Sequence, residues 1–418
     1  MENFSYVPYL LNVGSDCERD IKDSLKFDLD RRVYHYGGQF GYPFESASRA
    51  VRVKAGIKQL LRGVAAKNIS LSGSDKIICS AYFSVGSELE KLGFSVSQAP
   101  WLASKKTLGK ELFSLISGIQ NVLSFGQAKD ILASAFFEKV KQFRAAYENF
   151  VIAQDFKACV LAYDMPFFER ETVKLFKKLG KPSAVFLHGL PGRYNDKDDN
   201  RADYLFVWGE QIKRNYVKAG VNADKIFVTG RPSVPPSKAI VTGKKGRALV
   251  LTKAMGGAQH SSGTVLSDRG NCLLYLQMAK SALLEIGITA ADLRLHPSES
   301  AAWYENQLGT DFFTINKNSL SESLEKASFV IGPASTVFLE AMSAGVNYFI
   351  FEPSTNGLDL LNYPLVNPFD GSDKRVPVFS TESELVGAIR SNSCPDSSFF
   401  CDYIQNQFDI SVAKILFK

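Results

Sequence analysis

Residues 158–192 read ACVLAYDMPFFERETVKLFKKLGKPSAVFLHGLPG, and this stretch decides the fold class. Two short apolar runs, 158–163 and 183–187, flank a longer amphipathic segment between Pro166 and Gly180. Short apolar runs predict buried strands. A proline in the first turn and a glycine after the last turn are typical of a helix. A strand, a helix and a strand in this order predict one parallel βαβ unit.

The same alternation continues on both sides of this unit. It predicts strands at 76–82, 94–97, 158–163, 183–187, 204–208, 225–229, 247–252, 293–296, 312–315, 329–331 and 348–351. It predicts helices at 84–92, 108–123, 126–151, 166–179, 210–219, 267–286 and 336–344. An α/β fold built from parallel units follows from this pattern.

One segment interrupts the alternation. Residues 231–246, RPSVPPSKAIVTGKKG, contain three prolines and two glycines, which is typical of a linker. With 418 residues, we predict two Rossmann-like doubly wound domains, 1–232 and 247–418, joined by 233–246, with a last helix that could return to the first domain. Open sheets of this kind bind ligands at the carboxyl ends of their strands, so a cleft between the domains is the expected site.

The composition limits which classes of binding partner and which cellular compartment we expect. The net charge of +6, from 49 basic and 43 acidic residues, is too small and too scattered to indicate nucleic acid. It fits an anionic small ligand, a peripheral contact with an inner membrane, or a solvated surface. Six dispersed cysteines, no signal-like start and no run of 18 apolar residues favour the cytoplasm.

His188 directly follows the strand predicted at 183–187. An imidazole at the carboxyl edge of a sheet titrates near neutral pH and can remove a proton from an acceptor hydroxyl. The glycines and proline of 189–192 allow a ligand to approach the backbone. A structural histidine that only makes hydrogen bonds is the alternative.

Two further strand ends carry candidate binding residues. Residues 294–299, RLHPSE, place Arg294 and His296 at a sheet edge, with Pro297 directing the chain away from it. Residues 332–345, GPASTVFLEAMSAG, place Ser335 and Thr336 at the start of a helix, where hydroxyls and free amides can bind a phosphate.

Three other positions complete the candidate site. Glu340, one turn into the helix that starts at 336, could accept hydrogen bonds from a ribose or could simply be exposed. Lys253, followed by Gly257, could neutralise a leaving diphosphate. Asp164 could orient His188 or act as a nucleophile, or it could cap the helix that begins at Pro166.

The order of these motifs resembles glycosyltransferases of the GT-B fold. It is most similar to enzymes of bacterial surface polysaccharides that use cytidine nucleotides: sialyl-, polysialyl- and Kdo transferases, and the CDP-glycerol polymerases of teichoic acid synthesis. The resemblance spans about residues 155–355. It implies that His296, Pro297, Ser335 and Thr336 hold the nucleotide phosphate, and that His188 is the base.

The chain also departs from that pattern. Residues 187–189, LHG, stand where the sialyltransferases have an acidic motif, and residues 332–336, GPAST, replace the Asp-Tyr-Ser-Ser form of the glycerol-phosphate polymerases. The identity of the donor is therefore open.

We accordingly expect a metal-independent glycosyltransferase that needs no cofactor. It would transfer a sugar onto a glycan or glycolipid acceptor. The sugar that we expect first is a CMP-activated 2-ulosonic acid such as Kdo or sialic acid. A UDP-sugar or CDP-glycerol transferase, a sugar-nucleotide epimerase or hydrolase, and a scaffold that binds nucleotide sugars without turnover are the alternatives. The aromatic segment 34–43 could be an acceptor loop or a cap on the first sheet.

Overall fold

The computed structural model describes residues 14–30, 75–126, 128–192, 194, 201–232, 237–253, 269–296, 299, 301–355, 358–361 and 365–417. Several sequence-based predictions concern positions beyond these residues. They are the segment at 34–43, Gly257 and Pro297.

The first sheet is entirely parallel and has the strand order β2-β1-β3-β4-β5-β6. Its strands are β1 (Lys76–Cys79), β2 (Ser95–Gln98), β3 (Phe156–Leu161), β4 (Ser183–Phe186), β5 (Tyr204–Val207) and β6 (Ile226–Val228). The chain leaves β1 toward β2 on one side and continues with β3 on the other. The order therefore reverses between β1 and β3, which is the topological switch point of this sheet.

The second sheet is also parallel, with the order β14-β11-β10-β7-β8-β9. Its strands are β7 (Arg247–Leu251), β8 (Ala291–Arg294), β9 (Phe313–Ile315), β10 (Ala327–Gly332), β11 (Tyr348–Phe351) and β14 (Val378–Phe379). An antiparallel pair, β12 (Ser354–Thr355) and β13 (Leu358–Asp359), lies outside it. Here the order reverses between β7 and β10. The predicted pair of Rossmann-like sheets is thus confirmed.

Helices connect the strands of both sheets. They are α1 (Asp16–Asp30), α2 (Val85–Lys91), α3 (Lys105–Phe125), α4 (Ala128–Ile131), α5 (Ser134–Ala153), α6 (Phe167–Lys178), α7 (Glu210–Lys218), α8 (Arg269–Glu285), α9 (Ala301–Leu308), α10 (Leu320–Lys326), α11 (Val337–Ala344), α12 (Glu382–Arg390), α13 (Ser398–Tyr403) and α14 (Ala413–Leu416). Single 3₁₀ turns occupy Pro100–Leu102 and Ala223–Lys225.

The prediction of one helix over 126–151 is wrong. The segment forms α4 and α5, and Ala133 between them is extended, with φ −73° and ψ 140°. The first turn of α5 carries Phe136 and Phe137, which are buried in the core. Packing of these rings sets where α5 begins, and the sequence contains no glycine or proline there to announce it.

Helix α1 was not predicted, because its polar composition hides a short apolar stripe. Ile21, Leu25 and Leu29 recur every four residues and are fully buried. Acidic side chains of α1 meet α6, where Asp23 binds Arg170 and Asp28 accepts a hydrogen bond from the Phe167 amide at 3.0 Å. This carboxylate from α1 takes the role of a cap at the start of α6.

The end of the chain packs on the first sheet. The Gln405 amide donates to the Trp208 carbonyl at 2.8 Å, and the Asp409 amide donates to the Thr229 carbonyl at 2.8 Å. The ring of Phe417 lies against Phe206. The segment after α13 therefore ties the second half of the chain to the first.

Candidate active site where the two sheets face each other

His188 lies at the carboxyl edge of the first sheet, two residues after β4. Its ring meets Tyr163, which follows β3, edge to face with 4.4 Å between ring centroids. Tyr82, which follows β1, is 6.1 Å from the same ring. Residues from three neighbouring strands thus surround the imidazole, as the parallel topology requires.

The protonation of His188 favours its use as a proton acceptor. Packing of protein around the ring lowers its pKa, and a hydrogen bond with the backbone of Ala162 partly offsets this. A lowered pKa favours the neutral ring, which has one nitrogen that can accept a proton. Part of the side chain remains open to solvent despite this packing, so a substrate hydroxyl can reach it.

In the second sheet, Lys253 and the turn at 333–336 meet at the switch point. Lys253 follows β7, the turn follows β10, and Lys253 Nζ donates to the Ala334 carbonyl at 3.4 Å. Burial lowers the pKa of Lys253, and the charge of Glu352 opposes this decrease. Glu352 Oε1 in turn accepts a hydrogen bond from the Ala334 amide at 2.6 Å. This places a cation beside a small-residue turn.

The turn that carries His296 adjoins Lys253. The His296 amide donates to Thr252 Oγ1 at 2.9 Å and to Glu299 Oε2 at 3.0 Å, and Glu299 also accepts from the Tyr304 hydroxyl. Burial lowers the pKa of His296, and the nearby positive charge of Lys253 lowers it further. Strand ends β7, β8 and β10 therefore converge on one place.

The two sheets meet through Thr336. Its Oγ1 accepts a hydrogen bond from the Leu190 amide at 3.0 Å, which joins the turn after β10 to the turn after His188. The Thr336 side chain does not cap α11, although it lies at the N-cap. A Cβ at Gly189 would stand 3.0 Å from the same oxygen, so the glycine permits this close approach.

A second link between the halves lies beside this contact. Arg231 Nη2 donates to Glu340 Oε1 at 3.1 Å, and the guanidinium lies 4.2 Å from the Phe83 ring and 4.9 Å from the Trp208 ring. Cation–π contacts and an ion pair thus hold Glu340 in place. Sequence reasoning missed Arg231 because it sat within the linker composition.

Two of the candidate residues have their side chains bound to other parts of the chain. Asp164 is buried and accepts hydrogen bonds from the amides of Arg201 and Ala202, at 2.8 and 3.1 Å. Arg294 Nη1 donates to the Asn318 carbonyl at 2.5 Å and to Ser323 Oγ at 3.2 Å. Asp164 thus holds the segment at 201–202, and Arg294 holds Asn318 and the helix α10, which indicates structural roles for both side chains.

Further residues at the site follow from the structure alone. Thr252, Glu299 and Glu352 each follow or adjoin a strand of the second sheet, and Glu352 is buried. Within the ranges given above, no three His, Cys, Asp or Glu side chains are grouped so that they could hold a metal ion. No helix among those residues has the length and apolar character needed to cross a membrane.

The solved structures described below resemble this chain at low sequence identity. No family model matches the sequence, and no curated protein matches it. The UDP-GlcNAc 2-epimerase of Neisseria meningitidis bound to UDP-GlcNAc is 12% identical, covers 82% of this chain and 97% of its own, and has a TM-score of 0.44. The UDP-GlcNAc 2-epimerase of Methanocaldococcus jannaschii is 13% identical, with coverages of 82% and 98% and a TM-score of 0.45.

A lipopolysaccharide outer core galactosyltransferase in its apo form is also similar. It is 13% identical, with coverages of 81% and 96% and a TM-score of 0.43. At these identities and scores, the function has to be argued from the site itself.

The contact between Thr336 and Leu190 leads to a first prediction. Thr336→Val removes the acceptor of the Leu190 amide, and an unpaired amide costs about 1–3 kcal/mol. We expect a lower thermal midpoint and slower turnover, measured by calorimetric unfolding and steady-state kinetics. For stability, Ser335→Ala is the matched control, because the contact of Ser335 Oγ with the Tyr348 hydroxyl is long, at 3.4 Å. An equal decrease of the thermal midpoint in the two variants would contradict this role for Thr336.

Proposed function

We propose that this chain transfers a glycosyl group from a nucleotide-activated donor to an acceptor hydroxyl in the cleft between its two sheets. The observation that carries the proposal is the hydrogen bond from the Leu190 amide to Thr336 Oγ1. It brings the turn suited to a phosphate directly against the turn of the candidate base.

The second sheet supplies the donor side. Lys253 adds positive charge at the switch point, and the exposed imidazole of His296 lies next to it. A hydroxyl that accepts one hydrogen bond keeps its own proton as a donor, so Thr336 can still bind a phosphate oxygen. Glu340, held by Arg231, is placed one turn into α11 for a ribose hydroxyl.

The first sheet supplies the acceptor side. The unprotonated nitrogen of His188 takes the proton of the acceptor hydroxyl. At the same time, the oxygen of that hydroxyl forms a bond to the anomeric carbon of the sugar. The bond from that carbon to the phosphate oxygen breaks, and the nucleotide leaves with the negative charge. Lys253 stabilises this charge, so we propose a transfer that uses neither metal nor cofactor.

The finer identity of the substrates rests on the sequence resemblance. It supports a cytidine nucleotide, with a CMP-activated 2-ulosonic acid as first choice and a glycan or glycolipid as acceptor. A UDP-sugar is the second choice of donor. We propose a cytoplasmic protein that could contact the inner membrane at its periphery.

The proposal is tested by titration calorimetry with CMP, CDP, UDP and GDP, followed by product analysis. We expect CMP to bind most tightly, and the matching nucleotide sugar to release free nucleotide only when an acceptor is present. Isomerised donor in the NMR spectrum would indicate an epimerase, and nucleotide release without acceptor would indicate a hydrolase. Binding of no nucleotide would contradict the proposed function.

The pKa of His188 leads to a second prediction. The neutral imidazole is the base, so turnover falls as the ring is protonated at low pH. Since burial lowers this pKa from the ordinary value of 6.5, the neutral form persists to lower pH. We expect the acid limb of the kcat/KM profile to have its midpoint below 6.5. A midpoint above that value would contradict the assignment of His188.

A further inference from the structure

The switch point of the first sheet carries two tyrosines. Tyr82 follows β1 and Tyr163 follows β3, and their hydroxyls are 2.7 Å apart, which bridges the two strands where the order reverses. Their rings meet edge to face, with 6.0 Å between centroids. In the second sheet, the corresponding point between β7 and β10 holds the donor-side residues. Because open parallel sheets bind ligands at switch points, the β1–β3 point is a candidate for a second ligand site.

The backbone at this point is unusual. Phe83 and Ser84, which follow Tyr82, both have positive φ values, 59° and 60°. Residues other than glycine rarely adopt this conformation, and such strain is concentrated at ligand-binding and active sites. The Phe83 ring packs on Trp208 and on the Arg231 guanidinium, which holds the turn in this form. The turn leaves Tyr82 48% exposed.

The chemistry of the site is mixed. The side chains of Tyr82, Tyr163 and His188 form one wall of the candidate site. The two tyrosines offer ring surface, and their hydroxyls and the imidazole add polar groups. A ligand that suits this wall has an apolar face to pack on a ring and hydroxyls at its edge. A pyranose ring has both features, because its C–H bonds form a face and its hydroxyls form a rim. An alkyl chain would offer no hydrogen bonds to these polar groups.

We propose that Tyr82 and Tyr163 form a subsite for a pyranose ring of the acceptor, with Tyr82 as the platform on which the ring packs. The subsite rests on the proposed function, because it places the acceptor sugar within reach of His188. The edge-to-face contact between the two tyrosine rings positions the platform. Tyr82 is thus a positioning and specificity residue, and His188 remains the base.

Saturation-transfer NMR on the full chain tests the subsite without knowledge of the natural acceptor. The probes are the methyl pyranosides of galactose, glucose and mannose, together with hexyl β-glucopyranoside, in the presence of the nucleotide that calorimetry selects. We compare the wild type with Tyr82→Ala and with Tyr82→Phe, which keeps the ring. Nucleotide affinity, measured on each variant, reports whether the second domain is intact.

We expect transfer to the ring protons of at least one pyranoside in the wild type and in Tyr82→Phe. In Tyr82→Ala this transfer falls at least about fivefold, the change that loss of a single aromatic contact produces, while nucleotide affinity is unchanged. Equal signals in Tyr82→Ala, no signal in the wild type, or transfer only to the hexyl chain would each overturn the subsite.

The outcomes also separate the subsite from the proposed function. If nucleotide binds but the pyranoside signals do not depend on Tyr82, the subsite is wrong and the transferase proposal stands. If no nucleotide binds but the pyranoside signals depend on Tyr82, the transferase proposal is wrong and the subsite stands.

Discussion

His188→Ala is expected to lower kcat by about two to four orders of magnitude, the usual effect of losing a general base. In the proposed reaction the imidazole, at the carboxyl edge of the first sheet, is the proton acceptor, and its lowered pKa favours the neutral form. Binding of the nucleotide, measured by calorimetry, should be unchanged because the proposed donor-binding residues lie on the second sheet. Steady-state turnover of the donor is the measurement.

The control for this prediction is His188→Phe. The phenyl ring preserves the edge contact with Tyr163 but accepts no proton, so we expect turnover as low as in His188→Ala with unchanged thermal stability. Asp164→Asn is a second comparison. It should lower stability more than turnover, because Asp164 holds the Arg201 and Ala202 amides. Full activity of either His188 variant would show that the base lies elsewhere.

Lys253→Met is expected to weaken nucleotide binding about tenfold to hundredfold, the range for losing one charge-assisted hydrogen bond to a phosphate. Methionine keeps much of the side-chain volume, so packing at the end of β7 is maintained. Affinity for the nucleotide is measured by calorimetry. His296 adjoins Lys253, and its pKa should rise in the variant because a nearby positive charge is removed.

The neighbouring Glu352 requires a control of its own. Removal of Lys253 leaves this buried carboxylate with less compensating charge, which lowers stability independently of any ligand. The double variant with Glu352→Gln should regain stability while nucleotide binding stays weak, because glutamine is neutral. Recovery of both properties in the double variant would mean that Lys253 serves the fold and not the nucleotide.

The sequence predicts the two sheets well because their central strands are continuous apolar runs. Strand β11 is such a run with every side chain buried, and its predicted and observed bounds coincide at Tyr348–Phe351. Strand β14 has two residues, and a pair of apolar side chains gives no periodic pattern to detect. Helix α1 was not predicted because its buried apolar stripe is narrow and its remaining surface is charged.

The site was predictable only in part. His188, His296 and Thr336 lie two to four residues after the end of a strand, and in a parallel sheet such residues gather at one edge. The roles of Glu352 and Arg231 depend on partners 18 and 109 positions away in the chain, which no local pattern indicates. The same holds for Asp164 and Arg294, whose observed partners lie between 24 and 38 positions away in the chain.

The most direct test of a site shared by the two sheets is amide hydrogen exchange of the full chain, with and without the nucleotide that binds most tightly. A shared site requires that the nucleotide slow exchange in residues 332–338 and, through Thr336 and Leu190, in residues 188–192 as well. Protection of both segments is the predicted result. Protection of neither segment, or of residues 332–338 with no change in 188–192, would contradict a nucleotide site that spans both sheets.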